Sequence, residues 1–414
     1  MKHPPLAPLP KLLRLALAAT VLAVPVAACA GDDDASSSST PAADAPDAPD
    51  ERPPLPRPEP PANAAVDGRA TTLPTPFEPV VWSDPPPRPA LEGPLAANDA
   101  LTTASIVGDA ELEGAEDVAP GLDGHLYTGT VDGAVWRLRV DQAGAITAVE
   151  HVATLPGRAL GLDAYSDTVL VAAVPEHGLM AVDTTTGESW VLADRIDDAL
   201  VFFADAPSVA DDGTVYVTEA STRYLPGFPN DFLDGRPNGR LLRYEPTSGE
   251  LTVVAEGMHF ANGVDVAPDE SYALVAESFR FRVLRVWLDG ERAGEVEPFG
   301  EPLVNGPDNL RIDDEGRVWV GGSDLRNDAT DALLVNADVR RSVAALGDEE
   351  RAALRAPYGF AVVLDPEGRP LASFHDDTGR FAGVSSVLLH EDTVTFGTLA
   401  GRGLAQIPLP AELA

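Results

Sequence analysis

A short strand pattern ending in an acidic turn recurs along this chain, and before four of these turns an oxygen-bearing side chain stands in one phase. The turns are Asp123-Gly124, Asp212-Gly213, Asp269-Glu270 and Glu315-Gly316, and seven residues before them lie Glu116, Asp205, Asn262 and Asp308. Two further turn signals near residues 167 and 391 carry Leu160 and Val384 in the same phase. Six such units predict an all-β chain, a six-bladed β-propeller in which equivalent positions surround one axis. The polar set is selective rather than a general turn requirement, so four side chains distant in sequence are expected to meet and share a metal ion.

The strand reading rests on local chemistry. Runs such as His125 to Gly129, Thr214 to Thr218, Tyr272 to Ala276 and Arg317 to Gly321 are short, rich in β-formers and bounded by Gly, Asp, Pro and Asn, which punctuates strands rather than helices. Helical periodicity is convincing only around Asp338 to Arg355, inside an insertion from Asp324 to Pro357. A strand near Thr103 to Val107 is expected to complete the last blade, so that the ring closes without a free edge.

Ahead of the propeller, assigned to residues 90–414, two segments differ in kind. Residues 1–29 read as a signal peptide: Lys2, Lys11 and Arg14 precede an apolar run from Leu15 to Ala28 that is short for a membrane span. The run ends in Val26-Ala27-Ala28-Cys29, which resembles a bacterial lipobox. Residues 30–89, rich in Pro, Ala and Asp, are expected to be a disordered tether that packs little against the propeller. Cys29 is the only cysteine, so no intramolecular disulfide can form. The formal net charge of −37 argues against electrostatic binding to nucleic acid or an anionic membrane surface. A monomer is expected, held in the bacterial envelope (outer membrane, periplasm or cell surface) through lipid on Cys29.

Glu116, Asp205, Asn262 and Asp308 offer carboxylate and amide oxygens only. Hard oxygen donors of net negative charge suit Ca²⁺, with Mg²⁺ or Mn²⁺ behind it. No Gly-x-Ser-x-Gly elbow is present, so a serine triad has no support. His259 and His375 are candidate assistants, against the plainer reading of each as a satisfied blade or loop histidine. The excursion from Ser221 to Asn238, with Tyr224, Phe228 and Phe232, is placed to cover the mouth of the axis.

Gly114-Ala115-Glu116-Asp117, the stretch from Leu241 to Glu250, His259 to Val264, and Gly306-Pro307-Asp308-Asn309-Leu310-Arg311 together resemble the strictosidine-synthase-like branch of the six-bladed propellers. That superfamily also holds the senescence-marker gluconolactonases and the paraoxonases. The resemblance covers roughly residues 96–408. It implies a divalent cation on the axis, held at positions like these four with Asn309 adding an oxygen, and a lactonase or arylesterase in which Asp308 or Glu116 acts as base or nucleophile on a small lactone or ester substrate. Where the family has Asn followed by Asp, this chain has Asp205-Ala206, which alters the ligand type. Strictosidine synthase uses a last-blade glutamate for its condensation; Ser385 stands there in this chain, which counts against that reaction. The alternative from another class is a non-catalytic binding propeller with a structural cation.

The anchor is testable directly. Two lipid chains give stable membrane attachment where one is marginal, so Cys29→Ser should move the protein from the detergent phase to the aqueous phase in a partitioning assay. Unchanged partitioning would show that the lipobox reading is wrong.

Overall fold

The structure, a computed structural model, describes residues 52–58, 72–225, 230–354 and 357–414. Six four-stranded antiparallel blades follow one another. Their inner strands are Val118–Pro120, Gly161–Ser166, Ala204–Val209, Ala261–Val266, Asn305–Ile312 and Val384–His390, in blades I to VI. Inner strands of neighbouring blades touch at every step of the ring, including VI to I. All six expected turns join an inner strand to the second strand of its blade. Ser105–Val107 pairs antiparallel with Leu404–Pro408 and supplies the outer strand of blade VI. Blades V and VI meet in one continuous sheet through the bridge Gly322 to Val384.

Two-residue alternation explains how the blades stack. In the second strand of blade II, Leu170, Ala172 and Val174 pack with blade I, while Val171 and Ala173 pack with blade III. Each of the six blade interfaces has its own apolar cluster of this kind. A blade is therefore buried on both faces, and its sequence reads as a near-continuous apolar run.

Polar side chains stitch the inner strands together below the axis mouth. Asp163 Oδ2 accepts from Val209 N at 2.7 Å, Ser208 Oγ from Val266 N at 3.1 Å, and Asp265 Oδ2 from Ile312 N at 2.7 Å. These residues all stand three positions after the phase of Leu160, Asp205 and Asn262. Arg311 occupies the same register in blade V. Its guanidinium lies 3.0 Å from Asp117 and 3.8 Å from Asp163, and Nη2 also donates to Leu162 O at 2.8 Å. Burial raises the carboxyls of Asp163 and Asp265, the latter to about 6, with Arg311 pulling both back down.

Two expectations are corrected. The tether carries no helix or strand over residues 52–58, but it docks: Arg52 Nη1 donates to Tyr165 O at 2.7 Å, Trp190 Nε1 donates to Pro56 O at 3.0 Å, and Leu55 packs beside the core between blades II and III. Residues 72–89 likewise lie along the folded body, with Val80 N donating to Asp234 O and Trp82 N to Leu334 O, both at 2.8 Å. Leu73, Leu55 and Phe77 give these short pieces apolar area to bury, which a composition-wide average hides. Signal peptide, lipobox and the rest of the tether lie outside the described residues. The insertion, expected as one helix, forms three: Asp328–Val335, Ala337–Ala344 and Asp348–Ala352. Asn336 ends the first and caps the second, its side chain accepting from Asp338 N and Val339 N, the behaviour that favours Asn at helix starts.

Removing one partner of a buried ionic group leaves the others uncompensated. Arg311→Met should therefore destabilise the propeller by about 3–5 kcal/mol in chemical denaturation at pH 8. The loss should shrink at pH 5, where the raised carboxyls of Asp163 and Asp265 take up protons. A loss of under about 1 kcal/mol at pH 8 would show that the belt is not a keystone.

Candidate functional site

The inner strands do not run straight where the four oxygen-bearing residues stand. Pairing with the second strand skips from Ala204 to Pro207, from Ala261 to Val264 and from Pro307 to Leu310. The skipped residues include Asp205-Ala206, Asn262-Gly263 and Asp308-Asn309. A β-bulge re-aims side chains that a regular ladder would send into the blade faces, and here it does so in blades III, IV and V. Blade VI has the same irregularity between Val384 and Ser386, without a carboxylate in it.

Close approach of neighbouring blades makes the bulges possible. A Cβ on Gly263 would lie 2.6 Å from Asn309 Cα, and one on Gly161 would lie 2.7 Å from Ala206 Cα. The backbone groups that the bulges leave without ladder partners bond to hydroxyls: Thr218 Oγ1 donates to Asn262 O at 2.6 Å, and Ser278 Oγ to Pro307 O at 2.6 Å. Ser385 Oγ and Ser386 Oγ both donate to Glu116 O, at 2.6 and 2.7 Å. Ser385 is thereby a structural hydroxyl at the VI–I seam.

Glu116, Asp205, Asn262 and Asp308 are all buried, none more than 6 % exposed. The three carboxylates are electrostatically coupled. Burial, then Glu116 and Asp308, holds the Asp205 carboxyl well above the ordinary carboxylate range. Burial also pushes Glu116 up to about 7 against the opposing pull of Arg158. Asp205 Oδ1 and Asn262 Oδ1 have no hydrogen-bond partner among the described residues, and a buried polar atom left in that state costs about 1–3 kcal/mol. Leu160 closes the blade II position with Phe203, Ala220 and Phe260 in a small apolar cluster.

Sequence reasoning missed Arg158. Its Nη2 lies 2.9 Å from Glu116 Oε2 and also donates to Gly114 O and Leu399 O, each at 2.8 Å. Arg158 stands two residues before the apolar Leu160, so nothing in the repeat flags it. The donor chemistry fits a hard cation: oxygens only, buried, two of them without partners. Among the described residues, no three His, Cys, Asp or Glu side chains already converge as a ligand cluster. Burial and their like charges hold the Glu116 and Asp205 carboxyls raised, and the expected convergence of the four on one ion is not seen among the described residues.

The two histidines differ. His375 is fully buried in the outer strand of blade V, with its ring nitrogens 2.9 Å from Tyr358 Oη and from Ser373 Oγ; it is a satisfied core histidine away from the axis, and the expectation that it assists is withdrawn. His259 lies three residues before Asn262, bonded to Glu277 and Arg280. The described part of the Ser221 to Asn238 excursion forms a short helix, Asn230–Asp234, which packs against Ala337–Ala344.

Residues 205–291 match the family model for strictosidine synthase, and residues 93–138 that for the strictosidine synthase-like N-terminal region. Strictosidine synthase-like protein 4 of Arabidopsis thaliana is 30% identical over 329 residues, covering 76% of this chain and 85% of the relative. The human adipocyte plasma membrane-associated protein is 28% identical over 368 residues, covering 83% and 86%. Among solved structures, a gluconolactonase from Xanthomonas campestris superposes with a TM-score of 0.53 at 17% identity, covering 83% of this chain and 99% of that one. A calcium-binding regucalcin from Agrobacterium tumefaciens gives 0.50 at 16% identity, covering 73% and 92%. At such identities these two likenesses concern the fold. The sequence relatives carry the assignment: this chain belongs to the strictosidine synthase-like family of six-bladed β-propellers.

Proposed function

We propose that the protein is a cation-dependent hydrolase of lactone or ester bonds, lipid-anchored in a bacterial envelope through Cys29. The observation that carries the reading is the pair of partnerless buried oxygens, Asp205 Oδ1 and Asn262 Oδ1, in an axial ring with Glu116 and Asp308. Asp205, Asn262, Asp308 and Glu116 would hold a divalent cation, Ca²⁺ first among candidates. When bound, such an ion supplies Lewis-acid polarisation of a carbonyl. Asp308 or Glu116 would serve as base beside the ion; burial raises Glu116 to about 7 in the ion-free ring, a value that a bound cation lowers. Arg158 offsets the Glu116 charge and fixes its position. A gluconolactonase and a calcium-binding protein among the structural relatives fit this chemistry. Strictosidine-type condensation is disfavoured, because Ser385 is committed to the Glu116 carbonyl and no carboxylate replaces it.

A second reading has one specific observation behind it. The Arg158 to Glu116 ion pair already neutralises one member of the ring, as a non-catalytic propeller with a structural cation would allow. A panel of lactones and aryl esters, run with Ca²⁺ and then with a chelator, separates the two. Chelator-sensitive turnover supports the hydrolase; a Ca²⁺-dependent rise in melting temperature without turnover supports the structural ion.

Cation binding should also follow pH in a stated direction. The folded-state pKa values of Glu116 and Asp205 are raised, so without a cation their contribution to stability is present at low pH and is lost as pH rises, for Glu116 from its ordinary 4.5 through about 7. Cations bind the ionised forms. Calcium should therefore raise the melting temperature more at pH 8 than at pH 5, and Asp308→Asn should weaken that response and any turnover about 10-fold or more. An equal shift at both pH values would remove these carboxylates from the site.

A further inference from the structure

Ahead of the first blade the chain reads Arg52-Pro53-Pro54-Leu55-Pro56-Arg57-Pro58, and every one of these seven positions is a proline or precedes one. Proline fixes φ at about −65° and drives the residue before it out of the helical region. Sterics alone therefore bias the whole segment to polyproline II geometry, a left-handed helix of about three residues per turn with no hydrogen bonds of its own. Side-chain exposure follows that period. Pro54 and Arg57 face solvent, as does Pro58 at the end, while Arg52 with Leu55, and Pro53 with Pro56, are half-buried against the propeller.

The groove beneath supplies hydrogen-bond donors at the same spacing. Tyr165 Oη donates to Pro53 O, and Trp190 Nε1 donates to Pro56 O at 3.0 Å, so the two carbonyls that are held stand one turn apart. Leu55 packs into the apolar cluster between blades II and III. A guanidinium holds each end: Arg52 Nη1 donates to Tyr165 O at 2.7 Å, and Arg57 lies 4.2 Å from the centre of the Trp190 ring with Nη1 2.8 Å from Glu188 Oε2. The Arg57 pair is exposed on both sides and sets register more than strength. A Cβ on Gly213 would lie 2.9 Å from Tyr165 Oη and 3.2 Å from Pro53 Cδ, so the blade III turn leaves room for the segment only as glycine.

Aromatic side chains lining a groove, with N–H and O–H groups turned toward a preformed ligand of low entropy, are the means by which proline-rich segments are recognised. We propose that the groove of blades II and III is a polyproline-recognition site, which this chain fills with its own residues 52–58. Occupancy fixes where the chain enters the propeller. Tyr165 stands near the end of the blade II inner strand, Gly213 in the turn after the blade III inner strand, and Glu188 in the turn before the outer strand Ser189–Ala193 of blade II. All three lie on the turn face, whereas Leu160, Asp205 and Asn262 stand at the opposite end of their inner strands. The site stands on its own geometry; its further consequence, that an anchor at Cys29 draws on the turn face and leaves the axial ring on the far side, rests on the lipid-anchor reading.

Calorimetric titration of the purified full chain with a synthetic heptapeptide of residues 52–58 tests the groove. In the native chain the peptide meets a tethered competitor at an effective concentration on the order of millimolar. With Pro53→Ala, Leu55→Ser and Pro56→Ala together emptying the groove, the peptide should bind saturably and at least about 10-fold more tightly than to the native chain. The same peptide with its four prolines replaced by alanine has to be ordered on binding and should bind at least about 10-fold more weakly. Adding Tyr165→Phe or Trp190→Phe to the emptied chain removes one donor and should weaken the peptide about 3- to 10-fold. Leu55→Ser alone should give the same order of affinities with a smaller gap from the native chain, so the outcome does not hang on the triple variant folding. No saturable binding to either variant, native-chain affinity equal to theirs, equal binding of the alanine peptide, or unchanged affinity in both Tyr165→Phe and Trp190→Phe would each overturn the proposal. Peptide binding that persists where Cys29→Ser leaves partitioning unchanged keeps the groove and removes only the consequence for the anchor.

Discussion

The architecture hangs on one buried cation. Arg311 reaches from blade V to Asp117 of blade I and Asp163 of blade II, across the centre of the ring rather than along its rim. An ionic group so far from water is a costly choice, and replacement of such groups by apolar side chains is often neutral or stabilising. What it supplies in this fold is geometry: a single guanidinium that senses three blades at once fixes where their inner strands sit. Asp163, Ser208 and Asp265 extend the same register by bonding each to the next blade's backbone. The bulges above depend on that fixed floor, because a bulged strand has surrendered part of its own ladder.

The axial ring stores unfavourable electrostatics on this floor. Four polar side chains are confined within an apolar surround, two oxygens go without partners, and one acid takes an arginine as its counterion. Strain of this kind concentrates at functional sites, where it is held by the surrounding structure. Arg158 is the counterion that the fold itself supplies to this ring, 2.9 Å from Glu116 Oε2.

Much of this was legible in the sequence. Six turn signals in one phase were enough for blade number, the closing N-terminal strand and the equivalent inner-strand positions of Glu116, Asp205, Asn262 and Asp308, because period-2 alternation and turn chemistry are local properties. Arg158 and Arg311 were not legible, since their partners lie 42 and 194 residues away and an isolated arginine carries no mark of what it will meet. The bulges escaped for a related reason: Gly263 hints at close approach, but Ala206 and Asn309 give no such sign. His375 was open to two readings, assistant or satisfied blade histidine, because a histidine beside two aspartates looks chemical until its ring is seen bonded on both nitrogens. The docking of residues 52–58 was hidden by composition, where a few residues, Leu55 among them, are outvoted by their proline-rich surroundings.

The strand that closes the ring also governs when the protein can fold. Ser105 pairs with Gln406, about 300 residues later, so the first strand of the propeller to leave the ribosome waits for nearly the last. At about 5–20 residues per second that interval is on the order of 15–60 s, during which Ser105–Val107 has no partner strand and is itself open to pairing with other chains. Contacts of such long range also slow folding itself, since loop closure must precede the contacts that offset its cost. A polypeptide with this connectivity commits to its closed ring only after nearly all of it has been made.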